Sequence, residues 1–148
     1  MYYNINMKRF KMIGSSYLIL IKNGKVLLSR RFQTGYMDGH YSLPAGHVDE
    51  GETIEDCLVR EVKEEIGIKI NKKDIKLSHV IHRREKDIRL DFFYTVSKYE
   101  GEIKNMEENK CDELKWVKLD KLPKNILPYI KQGIYKTVKQ VLYSDIGF

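Results

Sequence analysis

Residues 46 to 68 constrain this chain most: Gly46, five residues, Glu52, seven residues, then Arg60-Glu61-Val62-Lys63-Glu64-Glu65-Ile66-Gly67-Ile68. The core of this stretch reads as one helix. Thr53 is a good N-cap, and Asp56 three residues on can close an acidic variant of the capping box. Gly67 suits the left-handed position just past the helix end, with apolar Ile68 after it. Ile54, Leu58, Val62 and Ile66 recur every four residues and form a core-facing stripe. With Ile54 at zero and a step of about 100° per residue, Glu65 falls near 20° and Glu61 near 340°. Both lie inside the apolar arc, and Glu64 sits at its edge, near 280°. Charge runs on helices are usually solvated faces, but carboxylates turned towards a core need compensation. Arg60 is one source, and a divalent cation is another. Carboxylates at i, i+3 and i+4 are the ingredients of a hard-cation site, and Mg²⁺ prefers oxygen ligands completed by waters and substrate phosphates.

Charge is distributed unevenly around this segment. Residues 49 to 65 hold eight acids and two bases, a net −6, whereas the chain as a whole is +6 and the remainder therefore +12. An acidic knot in a basic chain suits a metal site that receives a polyanion. No arginine-rich tract or nucleic-acid module is visible, so a small nucleotide is preferred over a polymer as partner.

At 148 residues the chain is expected to form a single domain with a sizeable core. No apolar run approaches the ~20 residues of a membrane span. Residues 1 to 9 lack the apolar centre of a signal peptide. The two cysteines, Cys57 and Cys111, make no disulfide framework, and Cys57 reads as a small core residue. A reducing cytoplasm is the simplest compartment, with a monomer or homodimer expected.

Along the chain, residues 12 to 21 read as a buried strand, Asn23-Gly24 as a hairpin turn, and 25 to 31 as the partner strand. Residues 32 to 41 read as a loop, 75 to 83 and 88 to 97 as two more strands, and 113 to 118 as a short strand around Trp116. Residues 98 to 110 are polar and expected to be mobile. Pro128 can start a last helix with an apolar face of Ile130, Ile134, Val138, Val141 and Leu142. Asp91 is expected to face outward and be inert, and Trp116 to pack in the core. The four histidines form no zinc pattern, and His47 reads as a solvated loop residue. The order of elements suggests an α/β fold, a mixed sheet covered by helices.

Residues 46 to 68 resemble the Nudix box of the Nudix hydrolases at every specified position. Arg30-Arg31, residues 34 to 39, Leu43-Pro44-Ala45-Gly46, residues 110 to 116 and Leu122-Pro123 resemble the MutT-like subgroup more loosely. Ala45 departs from the usual Gly, but its carbonyl is retained. The resemblance implies an α/β/α sandwich with a mixed sheet flanked by helices. It also implies Mg²⁺-dependent hydrolysis of a nucleoside-linked diphosphate, with Mn²⁺ as a substitute ion. Glu64, Glu65 and the Ala45 carbonyl are the implied metal ligands, with Glu61 as ligand or general base and Glu52 and Arg60 orienting the site. Of the late acids Glu107, Glu108, Asp112 and Glu113, Glu107 best matches a further ligand. Arg30 and Arg31 are candidates for substrate phosphates, and Tyr36 and Asp38 for a nucleoside pocket. A nucleoside triphosphate, oxidised or not, is the expected substrate. The alternatives are a nucleoside diphosphate-sugar of the ADP-ribose type, a 5′-capped or 5′-triphosphate RNA, or a non-catalytic nucleotide- or RNA-binding domain.

Overall fold

The computed structural model describes residues 8–148; the assessment of residues 1 to 9 as lacking a signal peptide falls mostly outside them. Nine strands and two helices follow in the order β1 (Ile13–Ile19), β2 (Ile21–Lys22), β3 (Lys25–Arg31), β4 (Tyr41–Ser42), β5 (Ala45–His47), α1 (Ile54–Ile66), β6 (Ile75–Arg84), β7 (Ile88–Val96), β8 (Cys111–Lys118), α2 (Pro128–Val138) and β9 (Tyr143–Ile146). A five-stranded mixed sheet has the order β5-β1-β7-β6-β9, with β1 parallel to β7 and β6 parallel to β9. A second, antiparallel sheet is built on β3, which pairs with β2, β4 and β8.

β1 explains why the sandwich has two covered faces. Side chains alternate along a strand, and here both sets are buried. Leu18 and Leu20 pack with Leu58, Val62 and Ile66 of α1. Tyr17 and Ile19 pack with Tyr129, Ile130 and Ile134 of α2. A strand buried on both sides reads as a continuous apolar run rather than an alternation, as residues 17 to 20 do. α2 lies so close to the sheet that a Cβ on Gly133 would come within 2.5 Å of the Phe93 ring, so glycine permits this packing.

The local signals hold closely. Thr53 Oγ1 accepts from the Asp56 amide, and the Asp56 carboxylate accepts from Thr53 in return, closing the capping box. Gly67 ends the helix at φ 75°. Asn23 and Gly24 both take positive φ, the backbone of a two-residue hairpin turn whose twist matches the strands.

Three expectations are corrected. The 98 to 110 segment is anchored over much of its length: the Lys104 and Met106 amides donate to the Ile66 and Glu65 carbonyls, and Lys69 and Glu100 exchange backbone bonds. It thus satisfies carbonyls that the end of α1 would otherwise leave bare. The last apolar face is also shorter than expected. Ile130 and Ile134 are buried, but Val138 and Leu142 are exposed, because the helix stops at Val138 and the chain turns into β9. Asp91 is fully buried, not outward-facing. It sits on the α2 side of β7 and pairs with Arg83 on the neighbouring strand, 2.6 Å from Nε.

Candidate active site

A cleft of about 840 Å³ opens where α1, the ends of β1, β3 and β5, and the loops before β4 and β8 meet. One end is acidic. Glu61, Glu64 and Glu65 of α1 and Glu107 of the late loop line it, together with Ala45 and Gly46 of β5. The helix places Glu61 and Glu65 inward as its phase requires. The Glu61 side chain is 16% exposed and that of Glu64 50%.

β5 supplies the backbone side of the site. In its ladder with β1, Leu18 donates to the Pro44 carbonyl and Val48 to the Gly14 carbonyl. Bonded and non-bonded pairs alternate in an antiparallel ladder. Ala45 and His47 therefore fall on non-bonded positions, and their polar groups face away from β1. The Ala45 amide donates to Glu65 Oε2 at 2.9 Å, and the His47 carbonyl accepts from Arg60 at 3.3 Å. By the same geometry the Ala45 carbonyl is free of the ladder, and alanine serves there as well as glycine.

Arg60 holds the acids together. Its Nη2 donates to Glu52 Oε1 at 2.6 Å, its Nη1 to Glu61 Oε1 at 2.6 Å, and Glu64 Oε2 lies 3.4 Å from Nη1. The Arg60 bond pulls the Glu52 carboxyl down to about 2, so Glu52 stays ionised and fixes the guanidinium. Glu52 also accepts from the Asp49 amide, which ties the loop before α1 to the same point. Glu61 is nonetheless raised from its ordinary value, by burial first, with Glu64 and Glu107 adding repulsion against Arg60. Burial pushes Glu65 up to about 8 despite the Ala45 amide, with Glu61 and Glu107 raising it further. Burial likewise lifts the Cys57 thiol to about 11, in keeping with an inert core residue.

These residues fit a divalent cation by donor chemistry: hard carboxylate oxygens and a free carbonyl on one cleft wall, with a carboxyl that holds a proton only because its charge is uncompensated. Among the described residues, no three His, Cys, Asp or Glu side chains are already drawn onto one point. Arg60 stands between them as the compensating charge. Glu107 is the late acid that reaches this wall. Asp112 instead pairs with Arg30, and Glu113 accepts from Tyr41.

The Glu65 carboxyl gives a signed pH dependence. Folded, it keeps its proton from its ordinary value of 4.5 up to about 8, whereas the unfolded chain releases it near 4.5. Its contribution to stability is complete below 4.5 and is lost as pH rises through 8. Metal-free protein should lose several °C of Tm across that window, and Mg²⁺ should oppose the loss by displacing the proton. Calorimetry near pH 6 in buffers of different ionisation enthalpy should find about one proton released per ion bound. No release would uncouple these carboxylates from the metal.

Gly46 is a second sensitive point. A Cβ there would overlap the Glu61 side chain, so Glu61 would have to leave its bond to Arg60 while the backbone stays in place. Gly46→Ala should therefore keep the fold but lower kcat/KM by about a hundredfold, because displacing a catalytic group by about 1 Å has that effect. A circular dichroism melt beside the kinetics checks both halves.

Basic and aromatic groups line the same cleft. Arg31, Arg89 and Lys110 line it with Tyr17, Tyr36 and Tyr129. Arg30 also lines it, but its guanidinium is engaged by Asp112 at 2.7 and 3.1 Å. Arg31 donates to the Tyr36 carbonyl at 2.7 Å and lies 5.2 Å from the Tyr36 ring centre. Tyr36 donates to Glu85 at 2.9 Å. Asp38 is not on the cleft wall: its carboxylate accepts from the Thr34 hydroxyl and amide and the Gly35 amide, and so shapes the loop. Arg89 and His47 face each other at 2.9 Å. Partial burial, then Arg89, lowers the His47 pKa. Arg89 lies in no motif, and the looser resemblance over residues 110 to 116 gives Lys110 no role, so neither is a sequence candidate. Both are brought in by strand pairing and by the late loop.

Residues 12–140 match the NUDIX domain. The chain belongs to the NUDIX family of hydrolases. Among curated relatives, the NAD-capped RNA hydrolase NudC of Chromobacterium violaceum is 30% identical over 111 residues, 75% of this chain and 40% of that protein. The chain thus matches about two-fifths of the length of such NudC relatives. The RNA pyrophosphohydrolase of Wolbachia sp. subsp. Brugia malayi is 26% identical over 147 residues, 87% of this chain and 88% of the relative. In fold, a MutT NUDIX hydrolase from Burkholderia pseudomallei superposes with TM-score 0.78 at 23% identity, covering 85% of this chain and 98% of the other. The Nudix fold expected from the box is therefore the one observed. No helix among the described residues is long and apolar enough to cross a membrane.

Proposed function

We propose that this Nudix chain is a Mg²⁺-dependent pyrophosphohydrolase that cleaves a nucleoside triphosphate to monophosphate and pyrophosphate. One observation supports this above others: a single cleft is lined both by the carboxylates Asp49, Glu61, Glu64, Glu65 and Glu107 and by arginine, lysine and tyrosine side chains. Glu61, Glu64, Glu65, Glu107 and the Ala45 carbonyl would hold the metal, with Mn²⁺ as an alternative ion. When bound, the ion neutralises phosphoryl oxygens and favours ionisation of the attacking water. Arg31, Arg89 and Lys110 contact the phosphate chain. Glu61, turned into the cleft, would take the proton of the water as its oxygen attacks phosphorus and the bridging P–O bond breaks. Arg60, fixed by Glu52, holds Glu61 in place. Tyr17, Tyr36 and Tyr129 offer apolar walls to the nucleoside.

A second reading is favoured by the relatives. Two groups of them are named for RNA substrates, and the chain outside residues 49 to 65 is +12. In this reading the diphosphate sits at an RNA 5′ end. A panel of oxidised and ordinary dNTPs, ADP-ribose, and capped and 5′-triphosphate RNA separates the readings by kcat/KM. EDTA-sensitive pyrophosphate release from dNTPs is expected to dominate. Inhibition by RNA that falls steeply with salt would favour the RNA reading. No EDTA-sensitive cleavage of any member would sink both.

A further inference from the structure

β1 presents two adjacent serines to opposite faces. Ser16 Oγ donates to the Ile54 carbonyl at 2.7 Å and anchors the start of α1. Ser15 points to the other face and lines the cleft beside Tyr17. It is 2% exposed, and its hydroxyl has no hydrogen-bond partner among the described residues. His40, Asp74, His82 and Thr137 share that condition, but none of them lines the cleft. A buried hydroxyl left unpaired costs free energy, so an orphan on a cleft wall points to a ligand group.

The surroundings of Ser15 are already committed. Strand register sets it opposite His47 on one side and Asp91 on the other. Asp91 receives Arg83 and the Tyr17 hydroxyl. Arg83 also meets Glu85 at 2.7 Å and lies 3.7 Å from the Tyr129 ring centre. Glu85 receives Tyr36. His47 receives Arg89. This network fixes three tyrosines from three elements around the recess and leaves Ser15 with both donor and acceptor capacity free. Tyr17 is stacked on Phe93 at 4.8 Å and met edge-on by Tyr129 at 6.1 Å, so its orientation is set. Rigid aromatic walls with one unpaired hydroxyl suit a planar heterocycle carrying polar atoms on its edge.

Building on the nucleotide reading above, we infer that Ser15 is the specificity-determining residue that hydrogen-bonds the edge of the substrate's nucleobase. Its distance in function from the acidic end is testable, because it should affect base recognition and not phosphate chemistry. Dissociation constants would be measured for the four nucleoside 5′-monophosphates and for ribose 5-phosphate, in parent and Ser15→Ala, alongside Tm without ligand. Ser15→Ala should weaken the preferred monophosphate about tenfold and flatten the preference among bases, as loss of one bond to a buried group implies. Ribose 5-phosphate affinity should not change. The ligand-free Tm should hold or rise, since an unpaired buried hydroxyl is removed; a serine with a structural role would lower it. Unchanged monophosphate affinity, an equal loss for ribose 5-phosphate, or a fall in Tm would overturn the assignment while leaving the nucleotide reading intact, provided the parent distinguishes the monophosphates. A parent that binds none of them would overturn both.

Discussion

Glu64→Gln should lower kcat/KM by about a thousandfold while leaving the fold intact. Glu64 is half exposed, and its ion pair to Arg60 is loose at 3.4 Å. Little folding free energy rests on it. Its neighbours Glu61 and Glu65 carry the opposite burden, because they are buried beside like charge. Neutralising Glu64 removes repulsion from the metal-free protein, so Tm should stay level or rise slightly. The lost carboxylate oxygen would be felt only when cation and phosphate are bound, the state in which an electrostatic contact is worth several kcal/mol. Steady-state kinetics against Mg²⁺ concentration would check this. Parent-like turnover by Glu64→Gln would show that the ion is held elsewhere.

The largest stability effect should come from Arg83→Met. Arg83 is 2% exposed and Asp91 is fully buried, and they are joined by bonds of 2.6 and 3.3 Å. Removing one partner leaves a charge in the core with, among the described residues, only the Tyr17 hydroxyl to meet it. Such breaks cost about 3–5 kcal/mol. Replacing both partners, as Arg83→Met with Asp91→Leu, should recover much of the loss, because a matched apolar pair avoids the desolvation cost. Urea denaturation would report both. A single variant within about 1 kcal/mol of the parent would mean that the core absorbs the charge without Arg83.

The sequence was most informative where the controlling interactions are local. Thr53 and Asp56 lie three apart, Asn23 and Gly24 are adjacent, and the four-residue period of α1 sets the inward turn of Glu61 and Glu65. Each of those features needs only nearby chain. What could not be read depends on partners far away in sequence. Asp91 looked like a surface acid because Arg83 is eight residues back, across a hairpin whose register decides which face both share. Val141 and Leu142 read as helical because they continue the helical spacing, while β9, which begins at Tyr143, has no local signal: the pairing that makes it a strand comes from β6, more than sixty residues earlier. Asp38 carried a plausible pocket chemistry, yet Thr34 and Gly35 use all of it locally. Arg89 and Ser15 had no motif to mark them, and only the side-by-side alignment of β5, β1 and β7 brings them to the cleft.

The anchoring of residues 98 to 110 has a consequence for how such a site can diversify. The segment clasps the last turn of α1 and then delivers Glu107, with Asn105 bonding both the Glu107 amide and the Cys111 carbonyl. The helix and this clasp therefore contribute to one cleft through separate stretches of chain. Insertions or deletions just beyond Met106 can swap the arriving side chain without disturbing the helical carboxylates. Hydrogen exchange offers a way to see the partition: the Lys104 and Met106 amides should exchange in step with the final turn of α1, while the residues after Glu107 open independently. Substrate range could drift through the second stretch while the hydrolytic chemistry stays fixed by the first.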